Sequence, residues 1–288
     1  MMENIETNLR ATVKYLSEEI GQRSYLDLKK LNSSSDFIEE RFRLYGCAVE
    51  RQPFTYEGNT YYNIIGGVDS RRDMREGTLV IGAHYDTVVG TPGADDNASG
   101  VAGLLELARL LSSSPAQGNI SFVAFSLEEP PVFLTSRMGS HVYAESLHSR
   151  EVEVRGMISL EMLGYYCDSE GCQYYPSSLF KLRYPDRGNF IAFVGNRSSR
   201  AFTQRLKKAF MAVSSLPVES LNTFSFVPGV DFSDHRSFWK FGYPAFMITD
   251  TAFYRNPNYH GPADMPETLD YKKMADLVAG LFKALMQL

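Results

Sequence analysis

The sequence predicts an α/β fold: a three-layer sandwich with a mixed, centrally parallel sheet flanked by helices. Three observations carry this reading. The runs "TLVIGAH" and "ISFVAFS" are short and continuously apolar, which suits central strands covered on both faces. Strand-like and helical stretches alternate along most of the chain, the pattern of a largely parallel sheet. No repeat, linker or low-complexity tract divides the 288 residues, so a single domain is expected over 1–288.

Each element has a local cause. Residues 5–21 and 34–45 show helical periodicity, the second opened by Ser and Asp in "SSSDFIEERF" and stopped by Gly46. "AVERQPFTYEG" and "TYYNIIGGV" alternate around Gly58 and Asn59 and read as a hairpin. "TLVIGAH" and "ISFVAFS" follow as strands, with a helix over about 97–112 between them. A helix over 138–148 precedes the strand "VRGMISLEML", and a polar, Tyr-rich loop then runs to Pro185. "NFIAFVG" is a strand, "SRAFTQRLKKAFMAV" a helix, "YPAFMIT" a strand, and "LDYKKMADLVAGLFKALMQL" a closing helix.

Composition narrows the function. With 44% hydrophobic residues the chain can bury one large core. Its net charge of −5 comes without a basic stripe, so nucleic acid is not an expected partner. No apolar run approaches the roughly 18 residues of a membrane span. "MMENIETNLRATVKYL" lacks a basic segment followed by an apolar one and reads as a helix, not a signal peptide. The three cysteines suggest a reducing, cytoplasmic setting; Cys167 and Cys172, five apart, allow a local disulfide, with two free thiols the favoured reading.

Chemistry collects where strands end. Ligands of open α/β sheets bind beyond the carboxyl ends of the strands. His84 and Asp86 end one strand, Glu128 and Glu129 the next, and Glu161 a third, while His260 follows a fourth by a loop. Asp95 and Asp96 stand at the start of a helix, where an acid could also serve as a cap. Crowded carboxylates need a counter-charge. Imidazole with carboxylate suits zinc, and five or more donors exceed one tetrahedral ion. They suit two ions about 3.5–4 Å apart that share a carboxylate, with a spare acid as base. The pair Glu128–Glu129 offers one ligand and one base. Asp234 and His235 read as a helix start, His141 and His148 as exposed helix residues. Pro131–Thr135, Met162, Leu163 and Tyr254 hint at an apolar pocket.

The motifs "GAHYDT", "PGADDNASGVA", "SLEEP", "ISLEMLG", "SDHRSFWKFGYPAFMITD" and "NPNYHGPAD" stand in an order and spacing that resemble the co-catalytic zinc aminopeptidases, metallopeptidase family 28. The resemblance covers about 77–270 and implies a leucyl-aminopeptidase-like enzyme of the zinc-peptidase fold, acting on peptides with a free N-terminus. It implies two Zn2+, replaceable by Co2+ or Mn2+. His84 and Glu161 would hold one ion, Glu129 and His260 the other, and Asp96 both. Glu128 would be the general base, Asp86 would hydrogen-bond His84, and the Asp96–Asn97 peptide would be cis. Three features depart from the family: Glu161 where familiar members have Asp, the insertion in "EEPPVFLTSRMGS", and no evident leader. Two other readings are a single-zinc acyltransferase resembling glutaminyl cyclases, and a non-catalytic peptide-binding protein on this fold.

Overall fold

A computed structural model describes residues 4–68, 77–114 and 119–288. Its centre is one eight-stranded sheet. The strands are β1 (Ala48–Tyr56), β2 (Asn59–Val68), β3 (Thr78–His84), β4 (Asn119–Phe125), β5 (Val154–Glu161), β6 (Ile191–Asn196), β7 (Val218–Thr223) and β8 (Ala245–Thr249). They lie in the order β1-β2-β4-β3-β5-β8-β6-β7. The four inner strands β4, β3, β5 and β8 are parallel, while the β1–β2 hairpin joins β4 antiparallel and β6 joins β8 antiparallel. This is the mixed, centrally parallel sheet that the apolar runs predict.

The period-2 alternation of a strand explains why those runs are apolar throughout. On β3, Leu79, Ile81 and Ala83 enter the larger core, under α1 (Ile5–Lys14), α2 (Leu28–Leu44), α3 (Gly100–Ser112), α5 (Arg200–Val213) and α7 (Tyr271–Leu285). Val80 faces the opposite way, toward α4 (Gly139–Ser149) and α6 (His235–Trp239), where Phe125, Tyr143, Leu147 and Phe238 pack. Burying each such side chain stabilises the fold by about 1.5–3 kcal/mol. Gly82 makes room for that layer, because a Cβ there would come 2.3 Å from the Phe125 ring. On α7, Met274, Leu277, Val278 and Leu281 form the buried stripe, and the Asp270 side chain caps the helix by accepting from Lys273 N at 3.0 Å.

Four expectations are corrected. The second helix begins at Leu28, not near 34, because Asp27 caps it through Lys30 N and its polar first turns are buried at Leu31, Ser34 and Ser35. β7 is a strand that sequence reading passed over, since "VESLNT" is half-buried throughout and shows no alternation. His141 is buried against the Phe241 ring, whereas His148 is exposed. Cys167 and Cys172 form a disulfide, because the turn between them, with Gly171 at positive φ, brings their Cα atoms to 6.4 Å. That pairing removes the argument for a reducing compartment. Cys47 is free and buried. No helix among the described residues is long and apolar enough to cross a membrane.

Candidate metal centre

The carboxyl ends of the four inner strands form one rim, and the strand connections bring the predicted donors onto it. His84 is the last residue of β3 and Glu161 the last of β5. Glu128 and Glu129 follow β4 after two residues, and His260 follows β8 by a loop. Asp96 arrives differently, on an irregular turn, Ala94–Ser99, that leads into α3; its peptide to Asn97 is cis. Asn97 pins that turn to β5, donating to Leu160 O at 2.9 Å and accepting from Met162 N at 3.0 Å.

Two His–carboxylate groups share Asp96. His84 Nε2 stands 3.3 Å from Asp96 Oδ1 and 3.4 Å from Glu161 Oε1. His260 Nε2 stands 3.2 Å from Asp96 Oδ2 and 3.4 Å from Glu129 Oε2. Each trio can offer its ligand atoms within 4.8 Å of one another. Glu128 belongs to neither trio; it groups only with His84 and Glu129. Asp96 Oδ1 and Glu129 Oε1 are buried without a hydrogen-bond partner, which is what cation ligands look like in the protein alone.

Surrounding groups aim these donors. His84 Nδ1 faces the main-chain oxygen of Asp86 at 3.2 Å, which leaves Nε2 turned to the carboxylates. The Asp86 carboxylate stands 3.6 Å from that ring, farther than the resemblance implies. It accepts instead from Glu128 N and Glu129 N, each at 3.1 Å, and so shapes the loop that carries the two acids. Ser233 Oγ donates to Glu161 Oε2 at 2.7 Å. Asp264 accepts from Asp95 N and Asp96 N, and Asp95 accepts from Gly164 N and from Asn256 Nδ2. Sequence reasoning gave Ser233 and Asp264 no role, although both lie inside quoted motifs. Asp234 stands at the start of α6 but its carboxylate makes no capping bond, and both its oxygens are buried without a partner. His235 is a core residue, bonded to Val230 O and edge-on to Trp239.

Beside the rim, a cleft runs from Glu161 and Tyr259 along the sheet, lined by Tyr174, Tyr175, Phe190, Met247, Phe253 and Tyr254. Phe133 of the inserted loop packs on Phe232 at its edge. Met162 and Leu163, expected in an apolar pocket, are fully buried and absent from the cleft's walls.

Crowding of buried charges shifts the titration of the rim. Burial and the neighbouring Asp96 charge push Glu129 up to about 8. Burial raises Glu128 well above the usual carboxylate range, against the pull of His84. Burial would lower His260, but Asp96 and Glu129 lift it to about 10. Folded Glu129 thus keeps a proton that the unfolded chain gives up near 4.5, and folded His260 keeps one given up near 6.5. The folded chain binds more protons, so its stability falls as pH rises through this window. Metal-stripped protein is expected to melt at a lower temperature at about pH 9 than at about pH 6. Zinc binding at neutral pH should release protons, read by calorimetry in buffers of different ionisation enthalpy. A stripped protein that gained thermal stability over that range would contradict the assignment.

Two imidazoles and buried carboxylates stand as two trios around a shared acid on a parallel-centred sheet, a donor set that could hold metal ions. The chain belongs to peptidase family M28, whose profile matches residues 63–284. It is 44% identical over 286 residues to the uncharacterized protein YfbL of Escherichia coli (strain K12), covering 96% of this chain and 86% of YfbL. It is 28% identical to leucine aminopeptidase 1 of Aspergillus fumigatus, covering 96% of this chain and 67% of that protein. The fold matches BSAP, a zinc aminopeptidase from Bacillus subtilis, with a TM-score of 0.76 at 17% identity over 98% of this chain and 95% of BSAP. It also matches a glutaminyl cyclase from Bacteroides thetaiotaomicron, with a TM-score of 0.73 at 17% identity over 97% of each chain.

Proposed function

We propose that this protein is a two-zinc aminopeptidase that removes N-terminal residues from peptides. The observation that carries it is Asp96, whose two oxygens face His84 and His260 on opposite sides. His84, Asp96 and Glu161 would hold one ion, and Asp96, Glu129 and His260 the other. Cobalt or manganese could take the same donors. Bound there, the ions would supply Lewis-acid polarisation of the scissile carbonyl and water of lowered pKa.

The chain's own residues do the rest. Glu128, left out of both trios, takes a proton from the attacking water and returns it to the leaving amine. Asp86 holds Glu128 and Glu129 through their backbone N–H groups. The apolar cleft beside Glu161 receives the N-terminal side chain, and the acids of the rim receive the free α-amine.

The fold is shared with a glutaminyl cyclase, so fold alone does not choose between hydrolysis and cyclisation. The donor set favours hydrolysis: His84 and Glu161 complete a second trio that a one-zinc enzyme does not need. The test is zinc-loaded protein against matched free and N-blocked dipeptides, together with an N-terminal Gln peptide. Cleavage of the free dipeptides alone is the expected result. Cyclisation of Gln at one zinc per chain, or no turnover at all, overturns the reading.

A further inference from the structure

The strand end that bears His84 and the turn that bears Asp96 are separate arms of the centre, and one buried guanidinium joins them. Arg23 lies between α1 and α2 and is fully buried. Its Nε donates to Tyr85 O at 2.9 Å, on the first arm. Its Nη1 donates to Pro92 O at 2.8 Å and its Nη2 to Gly93 O at 2.8 Å, on the second. Nη1 also donates to Leu16 O and Gly21 O, which anchors the group in the N-terminal segment. Its backbone N–H donates to Thr87 Oγ1 at 3.0 Å, and its backbone oxygen accepts from Thr87 N at 3.3 Å. Asp86 is thus flanked on both sides by residues tied to Arg23.

Packing around the group leaves no slack. A Cβ at Gly93 would meet Thr87 Cγ2 at 2.3 Å, Asp96 O at 2.4 Å and Arg23 Nη2 at 3.0 Å, and Gly93 has φ +64°. The two arms and the guanidinium therefore fit together only with glycine there. Among the described residues no carboxylate makes an ion pair with Arg23. Its charge acts through space on Asp264, Asp86, Asp96 and Glu129.

We propose that Arg23 is a positioning residue of the metal centre: its planar fork sets the spacing of the His84–Asp86 and Asp96 arms. This rests on the metal reading above. Lysine keeps the charge but lacks the fork that reaches both arms.

The test uses Arg23→Lys in the full chain, with chelator competition for zinc and the visible spectrum of the cobalt-substituted protein. The expected result is wild-type secondary structure, zinc held at least about tenfold more weakly, and an altered cobalt spectrum. Leu281→Ala, in α7, serves as a control for lost stability and should leave both metal readouts unchanged. Two results overturn the proposal: Arg23→Lys with lowered Tm but wild-type zinc affinity and cobalt spectrum, or Leu281→Ala weakening zinc as much. Should Arg23→Lys fail to fold, Arg23→Gln, whose single amide cannot bridge both arms and which leaves no buried charge, takes its place. A several-fold loss of zinc affinity then supports the proposal, and no loss overturns it. Because the readouts are metal binding, a wild type that binds two zincs but cleaves no peptide defeats the aminopeptidase reading and leaves this one standing.

Discussion

Glu128→Ala is expected to lower kcat by about 10^2- to 10^4-fold while two zincs per chain remain bound. The argument is geometric. Glu129 Oε2 lies 3.4 Å from His260 Nε2, in a trio with Asp96, whereas Glu128 joins no trio that contains Asp96. Neighbours in sequence, on a loop entered through Leu127 at positive φ, the two acids fall into different groupings. Asp86 then fixes the backbone of both. Removing a proton carrier touches the barrier and leaves ground-state binding alone, so KM should change little. A thousandfold loss corresponds to about 4 kcal/mol of barrier. Glu129→Ala should behave in the opposite way and lose metal. If elemental analysis shows zinc lost from Glu128→Ala and kept in Glu129→Ala, the two roles have been exchanged.

Much of this centre is legible in sequence because its donors sit where strong local patterns end. His84, Glu128, Glu129 and Glu161 each follow an apolar run that can only be a buried strand, and parallel strands deliver their ends to one side. What supports the donors is harder to read. Arg23 stands alone between polar neighbours, and its role depends on carbonyls 62–70 residues away, which carry no side-chain signature. Ser233 and Asp264 act through hydrogen bonds set by loop paths that periodicity does not describe. β7 escapes for a related reason: it pairs only with β6, and no residue of it is fully buried. The Cys167–Cys172 bridge escapes because five-residue spacing is compatible with either state until the turn is known.

Asp96→Asn is expected to have the larger effect on metal content: both ions should be lost or held weakly, and turnover with them. The substitution keeps size and shape and takes away the charge and one acceptor oxygen. Burial opposes ionisation of Asp96, yet the adjacent His260 and His84 imidazoles hold it well below the usual carboxylate range. Among the acids of the two trios and Glu128, Asp96 is the one held below its ordinary range, while Glu128, Glu129 and Glu161 are pushed up. A carboxylate that faces both imidazoles and is already ionised is the natural first foothold for either cation. Losing it affects both trios, whereas His84→Ala or His260→Ala affects one each. The series should read about two zincs for wild type, about one for each histidine variant, and less than one for Asp96→Asn. An Asp96→Asn protein that keeps two zincs and normal turnover would show that the shared acid does not join the two sites. The two trios would then be independent sites that happen to touch.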